Sequence, residues 1–96
     1  MYRCHVEKRI WQDVLKTSTY TLVYHDLEMA EAPEIGDQLN DSRWYSGPLT
    51  HVVWNVDDEV FNCRVDDEAP SIDADYEYGY EFIVENALME GWKVAQ

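Results

Sequence analysis

Lysine and arginine are scarce in this chain. Seven of them stand against twenty Asp and Glu, leaving a net charge of −13 over 96 residues. A small domain ordinarily carries a net charge of roughly 2–8 in magnitude, and a larger excess destabilises the compact state by self-repulsion. So acidic a chain repels nucleic acid and anionic membranes, and its natural partners are basic surfaces. Long apolar runs are also missing. No stretch approaches the roughly 18 apolar residues of a membrane span. The N-terminal MYRCHVEKRI is charged throughout and lacks the apolar core of a secretory signal, so a cytoplasmic protein is expected. Only two cysteines occur, Cys4 and Cys63, and in that setting they are expected to be reduced.

Recognisable catalytic constellations are absent as well. The chain has no nucleophile elbow, no phosphate-binding glycine loop and no HExxH helix. His5, His25 and His51, together with Cys4 and Cys63, lack paired metal-ligand spacing. Asp73-x-Asp75-x-Glu77 begins like a calcium loop. Tyr78, however, stands where the turn glycine is needed, and Val84 where the terminal Glu belongs. A protein without metal, cofactor or enzymatic activity is expected.

What is present suffices for a folded domain. Hydrophobic residues make up 46%, including four Trp, seven Tyr and two Phe, enough for one core and too many for a disordered chain. Residues 1–96 fit a single domain, without internal repeat or low-complexity linker. The charge is unevenly placed. Residues 1–25 hold Glu7 and Asp13 against Arg3, Lys8, Arg9 and Lys16, a net of +2. Residues 26–96 hold the other eighteen acids against Arg43, Arg64 and Lys93, a net of −15. Such asymmetry points to an interaction surface, the plainer alternative being a solvated acidic face or a salt-tolerant proteome.

Strand periodicity opens the chain, with Tyr2, Cys4 and Val6 alternating against Arg3 and His5. Residues 7–16 fit either a helix face or a strand, and their β-branched and aromatic content favours the strand. After a turn at Lys16-Thr17-Ser18, a second strand over 19–29 puts Thr21, Val23, Leu27 and Met29 on one face and Tyr20, Leu22 and Tyr24 on the other. A loop with Pro33 and Gly36 follows, then a short strand over 37–39 and a turn-rich segment over 40–48. LTHVVWNV (49–56) is the strongest strand. Asp57-Asp58-Glu59 turns it, and residues 60–65 return antiparallel, followed by an acidic connector over 66–70.

Residues 71–90 read as the clearest helix. Ser71 or Asp73 is its expected N-cap, its first turn is acidic, and Gly91 is its left-handed C-cap, with Trp92 folding back. The expected architecture is α+β: a small curled antiparallel sheet of four or five strands, an SH3-like half-barrel being one version, covered by one C-terminal helix. At about 100° per residue, Ile72, Tyr76, Tyr80, Ile83, Val84 and Ala87 form the core stripe. Asp73, Glu77, Glu81 and Glu85 form an i, i+4 ladder beside it, unrelieved by any Lys or Arg. A second apolar strip, Tyr78, Phe82 and Met89, then faces solvent or a partner. Rungs of this ladder are about 6 Å apart, matching roughly every second phosphate of a DNA strand.

The segments DDEVFNCRVDDE and SIDADYEYGYEFIVENALMEGW, dense in acids with interleaved aromatics, resemble in size and character the small phage-encoded anti-CRISPR proteins. PEIGDQL followed by LTHVVWNV is similar to short bacterial and phage proteins of unassigned function. The first resemblance implies an inhibitor that occupies the DNA-binding surface of a bacterial defence complex such as a CRISPR effector, sometimes as a DNA mimic. No residue is carried over from that resemblance; the acidic ladder and turns themselves name them: Asp73, Glu77, Glu81 and Glu85 would replace phosphates, helped by Asp57, Asp58, Glu59, Asp66, Asp67 and Glu68, with Tyr78 and Phe82 as anchors. The competing expectation is a phage or plasmid accessory protein that self-associates through the apolar strip of its helix.

Overall fold

The computed structural model describes residues 1–13, 15–17, 19–39, 46–70 and 79–95. Its elements run β1 (Tyr2–Trp11), β2 (Tyr20–Met29), β3 (Leu49–Asn55), β4 (Val60–Val65), α1 (Tyr80–Met89) and β5 (Lys93–Ala95). The strands form one sheet in the order β3-β4-β1-β2-β5, with α1 on one face, which makes the fold α+β.

Strands β1 and β2 form an antiparallel pair from Tyr2↔Met29 to Trp11↔Tyr20. β1 stops at Trp11, short of residue 16, because Asp13 captures the chain. Its carboxylate accepts hydrogen bonds from the Thr17 backbone N–H (3.0 Å) and the Thr17 hydroxyl (2.7 Å). This side-chain-to-backbone bonding competes with strand pairing and forms the turn. Lys16 adopts φ 57° within it.

The sheet is mixed rather than antiparallel throughout, and it is not closed, which departs from an SH3-like arrangement. β4 pairs with β1 in parallel, Cys4↔Phe61 to Glu7↔Arg64, while β3 pairs antiparallel with β4. The cause lies in where β2 ends and β3 begins. β2 ends opposite Tyr2, whereas β3 begins opposite Val65, the residue after Glu7's partner Arg64. β3 thus starts at the end of the sheet away from where β2 stops, so the second hairpin enters from the other end, as a parallel neighbour requires. The expected strand over 37–39 is reduced to one bridge, Gln38↔Pro48.

Alternation places Cys4, Val6, Lys8 and Ile10 on one face of β1, together with Val23, Cys63, Val65 and Leu49 from its neighbours. Ile83, Ala87 and Trp92 close over them, and these apolar residues form the core. Each large aliphatic side chain so buried contributes about 1.5–3 kcal/mol. Lys8 alone among these strand positions is charged, yet it is 3% exposed. Its Nζ donates to the Ser46 carbonyl oxygen at 2.7 Å and lies 2.9 Å from Glu68 Oε1. Cys4 and Cys63 are free thiols on adjacent strands.

Helix α1 begins at Tyr80, with Gly79 as an extended N-cap. Gly79 is thus not a helix-interior residue, and the interior penalty for glycine does not arise. The expected N-caps Ser71 and Asp73 lie outside the described residues. At the other end the expectation holds. Gly91 takes φ 95°, its N–H donates to Leu88 O, and the Trp92 N–H donates to Ala87 O at 3.0 Å. This is a Schellman motif, and it drives Trp92 into the core. The chain then adds β5 alongside β2, a strand too short to read from periodicity. Among the described residues no helix is long and apolar enough to cross a membrane.

Candidate partner-binding surface

The acids expected to act together fall into separate groups. Asp57, Asp58 and Glu59 form the exposed β3–β4 turn, with Glu59 at φ 54°. Asn55 builds this turn. Its Oδ1 accepts from the Asp57 and Asp58 backbone N–H groups, and its Nδ2 donates to Asp58 Oδ2 at 3.1 Å. No Lys or Arg pairs with these three carboxylates among the described residues. Asp66, Asp67 and Glu68 lie near the opposite end of β1, where Glu68 bridges Ile10. Two of them serve the fold: Asp67 accepts from the Trp11 indole N–H at 2.9 Å, and Glu68 pairs with Lys8.

Of the helix ladder, Glu81 and Glu85 are exposed on successive turns, while Asp73 and Glu77 lie outside the described residues. Glu81 sits in the first turn, where the helix dipole favours an anion. The described members of the core stripe pack as expected: Ile83 and Ala87 are buried, with Tyr80 and Val84 packed against them. Tyr80 also hydrogen-bonds Thr21 through their hydroxyls. Opposite that stripe, Phe82 is 41% and Met89 82% exposed. Tyr78, the other expected anchor, lies outside the described residues.

The acidic turn gains neighbours that the sequence reading did not single out. Asp58 shares a solvent-open depression of about 580 Å³ with Asp26, Glu28, Asn62, Arg3 and His5. The β1–β2 register brings them there, because Arg3 faces Glu28 and His5 faces Asp26. Alternation within β2 carried this signal: Asp26 and Glu28 occupy the face opposite Leu27 and Met29. His5 lies between two carboxylates, Nδ1 at 2.6 Å from Asp26 and Nε2 at 3.1 Å from Glu7, with its ring 5.2 Å from that of Tyr24. Burial pulls its pKa down, but the hydrogen bonds and charges of Asp26 and Glu7 outweigh this and hold it above the ordinary 6.5. Against the three acids of the depression, Arg3 and His5 are the only basic side chains that line it among the described residues.

Next to the turn lies an apolar rim. Val53 is 60%, Trp54 48% and Val56 71% exposed. Trp54 packs against Phe61 with ring centres 4.7 Å apart, and Phe61 against Tyr2 at 6.0 Å, giving an aromatic row across β3, β4 and β1. The backbone of α1 lies against β1, β2 and β5 rather than β3 or β4. Among the described residues, no three His, Cys, Asp or Glu converge as metal ligands would. The chain matches no family model, no curated protein and no solved structure.

Proposed function

We propose that the protein is a non-enzymatic inhibitor whose acidic surface docks on the basic, nucleic-acid-binding groove of a larger complex and excludes DNA or RNA. This is the mode of the anti-CRISPR proteins it resembles, and it places the protein in the cytoplasm of a bacterial host, with a CRISPR effector or similar complex as partner. It does not itself bind nucleic acid or membrane. The observation that carries the reading is the exposed Asp57-Asp58-Glu59 turn, without cationic partners among the described residues, with Asp26 and Glu28 beside it on one face of the sheet and the Trp54–Phe61–Tyr2 row on the other. Carboxylates on a rigid hairpin tip present fixed negative charge, and aromatics add contact area at low entropic cost.

The test is capture of partners from bacterial lysate at low and high salt. Nucleic-acid-binding proteins should be retained at low salt and released at high salt, and added DNA should compete for them. Reversing Asp57, Asp58 and Glu59 to Lys should weaken capture at least about tenfold, more than reversing Glu81 and Glu85. Salt-independent capture that DNA does not compete would refute the reading. The exposure of Phe82 and Met89 favours a second reading, self-association through α1. Sedimentation distinguishes them: a stable oligomer abolished by Met89→Lys supports the second.

A further inference from the structure

We infer that the outer edge of β3 is a docking edge for a cationic, extended segment of the partner, which adds to the sheet as a sixth strand. The inference rests on the binding role proposed above and specifies its surface and its chemistry.

The sheet has two edges, and they are built differently. β5 is three residues long and begins with Lys93, two of the devices by which proteins protect an edge from further pairing. β3 is seven residues long, contains no Lys, Arg or Pro, and exposes Val53 and Trp54, with Val56 just beyond. Its beginning is occupied: the Leu49 N–H donates to Asp37 O and its carbonyl accepts from Gly36 N–H, both at 2.8 Å. A register irregularity between Leu49 and His51 follows. Beyond it, no described residue pairs with the outer side of residues 52–55. An unprotected stretch of main-chain donors and acceptors is a template for strand addition, in which backbone bonds give affinity and alternate side chains give specificity.

The surroundings select the occupant. A strand added about 4.8 Å outside β3 would lay alternate side chains beside Val53 on one face and Trp54 on the other. Trp54 heads the row with Phe61 and Tyr2, and such ring faces attract Lys or Arg. Asp57, Asp58 and Glu59 bound the far end of the edge and attract the same cations. A second copy of this chain would satisfy the backbone equally well, but it brings another −13 of charge to the contact. Charge complementarity therefore selects a basic strand over self-pairing.

The test uses the full chain and two synthetic peptides. One alternates lysine with valine. The other has the same lysines with proline in place of valine, so it keeps the charge and cannot extend a ladder. The lysine–valine peptide should bind at least about tenfold more tightly and slow hydrogen exchange of the amides over residues 52–55. Val53→Lys, at a position already in solvent, should remove that advantage while circular dichroism stays unchanged. Equal binding of both peptides without protection of residues 52–55 would overturn strand addition and leave acidic docking standing. Failure of both peptides to bind would overturn both. A concentration-dependent dimer that protects residues 52–55 without peptide would overturn the basic occupant in favour of a second copy.

Discussion

Removing Glu68's charge should harm this protein more than removing the charge of the lysine it serves. Lys8 projects into the core, 3% exposed, with its Nζ held by the Ser46 carbonyl at 2.7 Å and by Glu68 Oε1 at 2.9 Å. Breaking a fully buried ion pair from one side costs about 3–5 kcal/mol, because the remaining charge loses an opposite charge in low dielectric. Glu68 retains 34% exposure, so water reaches this pair and the cost falls to about 2 kcal/mol. Glu68→Gln should therefore lower Tm by about 8–16 °C, at about 4–8 °C per kcal/mol for a domain of this size. Lys8→Met keeps the length of the side chain and removes the charge that needs compensation. Glu68, already a third in solvent, can then be hydrated, and the change should stay within about 1 kcal/mol of wild type.

Urea denaturation of the two single variants and the double variant closes a cycle. In the Lys8→Met background, Glu68→Gln should cost less than about 0.5 kcal/mol. Salt supplies an independent check. Screening of the −13 net charge should stabilise every variant as NaCl is added, while the gap between wild type and Glu68→Gln stays nearly constant, since a buried pair is screened little. A Glu68→Gln loss below about 0.5 kcal/mol, or a Lys8→Met variant less stable than Glu68→Gln, would refute the reasoning.

Three further outcomes are expected. His5 has a folded-state pKa held above 6.5, so its contribution is fully present below that value and is lost as pH rises through the raised one; the stability gap between wild type and His5→Gln, followed by denaturation across pH, should shrink from acid to alkaline, and a gap that widens would be inconsistent. Gly91 at φ 95° has room for a Cβ, with His25 Cε1 at 3.9 Å, so Gly91→Ala should cost about 1–2 kcal/mol for its left-handed backbone alone, and Gly91→Asn less in the same melt. Burial raises both thiols, and with Cys4 beside it Cys63 is pushed up to about 11, so DTNB should label neither in the native state at neutral pH and both in urea; rapid native labelling would contradict their placement in the core.

The parts legible in the sequence are those where local chemistry and tertiary context agree. Alternation in β1 and β2 named the correct faces because one side of β1 is buried from Cys4 to Ile10, and on β2 Val23 is buried with Leu27 and Met29 packed against the core. Gly91 and Trp92 announced a helix end because the left-handed cap is a local requirement. Lys8 was illegible in its role: a lysine at an inward position reads as an exception to the pattern until the Ser46 carbonyl and Glu68 arrive from distant segments. The parallel β4 was illegible for a related reason, since hairpin signals fix β3 against β4 and β1 against β2 but say nothing of how the two hairpins meet. That meeting depends on β3 starting at the end of the sheet away from where β2 stops. It also decided the candidate site, because it set the β3–β4 turn beside Asp26 and Glu28 and left Asp66–Glu68 at the other end of β1.

The described acids divide according to whether the fold uses them. Asp13 forms the first turn, Asp37 accepts from the Glu34 N–H, Asp67 holds Trp11, Glu68 compensates Lys8, and Glu7 and Asp26 hold His5. Each of these would be retained for stability alone. Asp57 and Glu59 have no such use. Their side chains make no hydrogen bond or ion pair among the described residues, and they add repulsion at a hairpin tip where Asn and Gly would turn the chain as well. Glu85 likewise sits four residues from Glu81, a spacing at which like charges cost a few tenths of a kcal/mol. Carboxylates that weaken the fold and make no contact among the described residues are what the proposed docking role would account for. That argument singles out Asp57 and Glu59 of the β3–β4 tip ahead of the helix, since Glu81 has the helix dipole to justify it and these two have no comparable contact among the described residues.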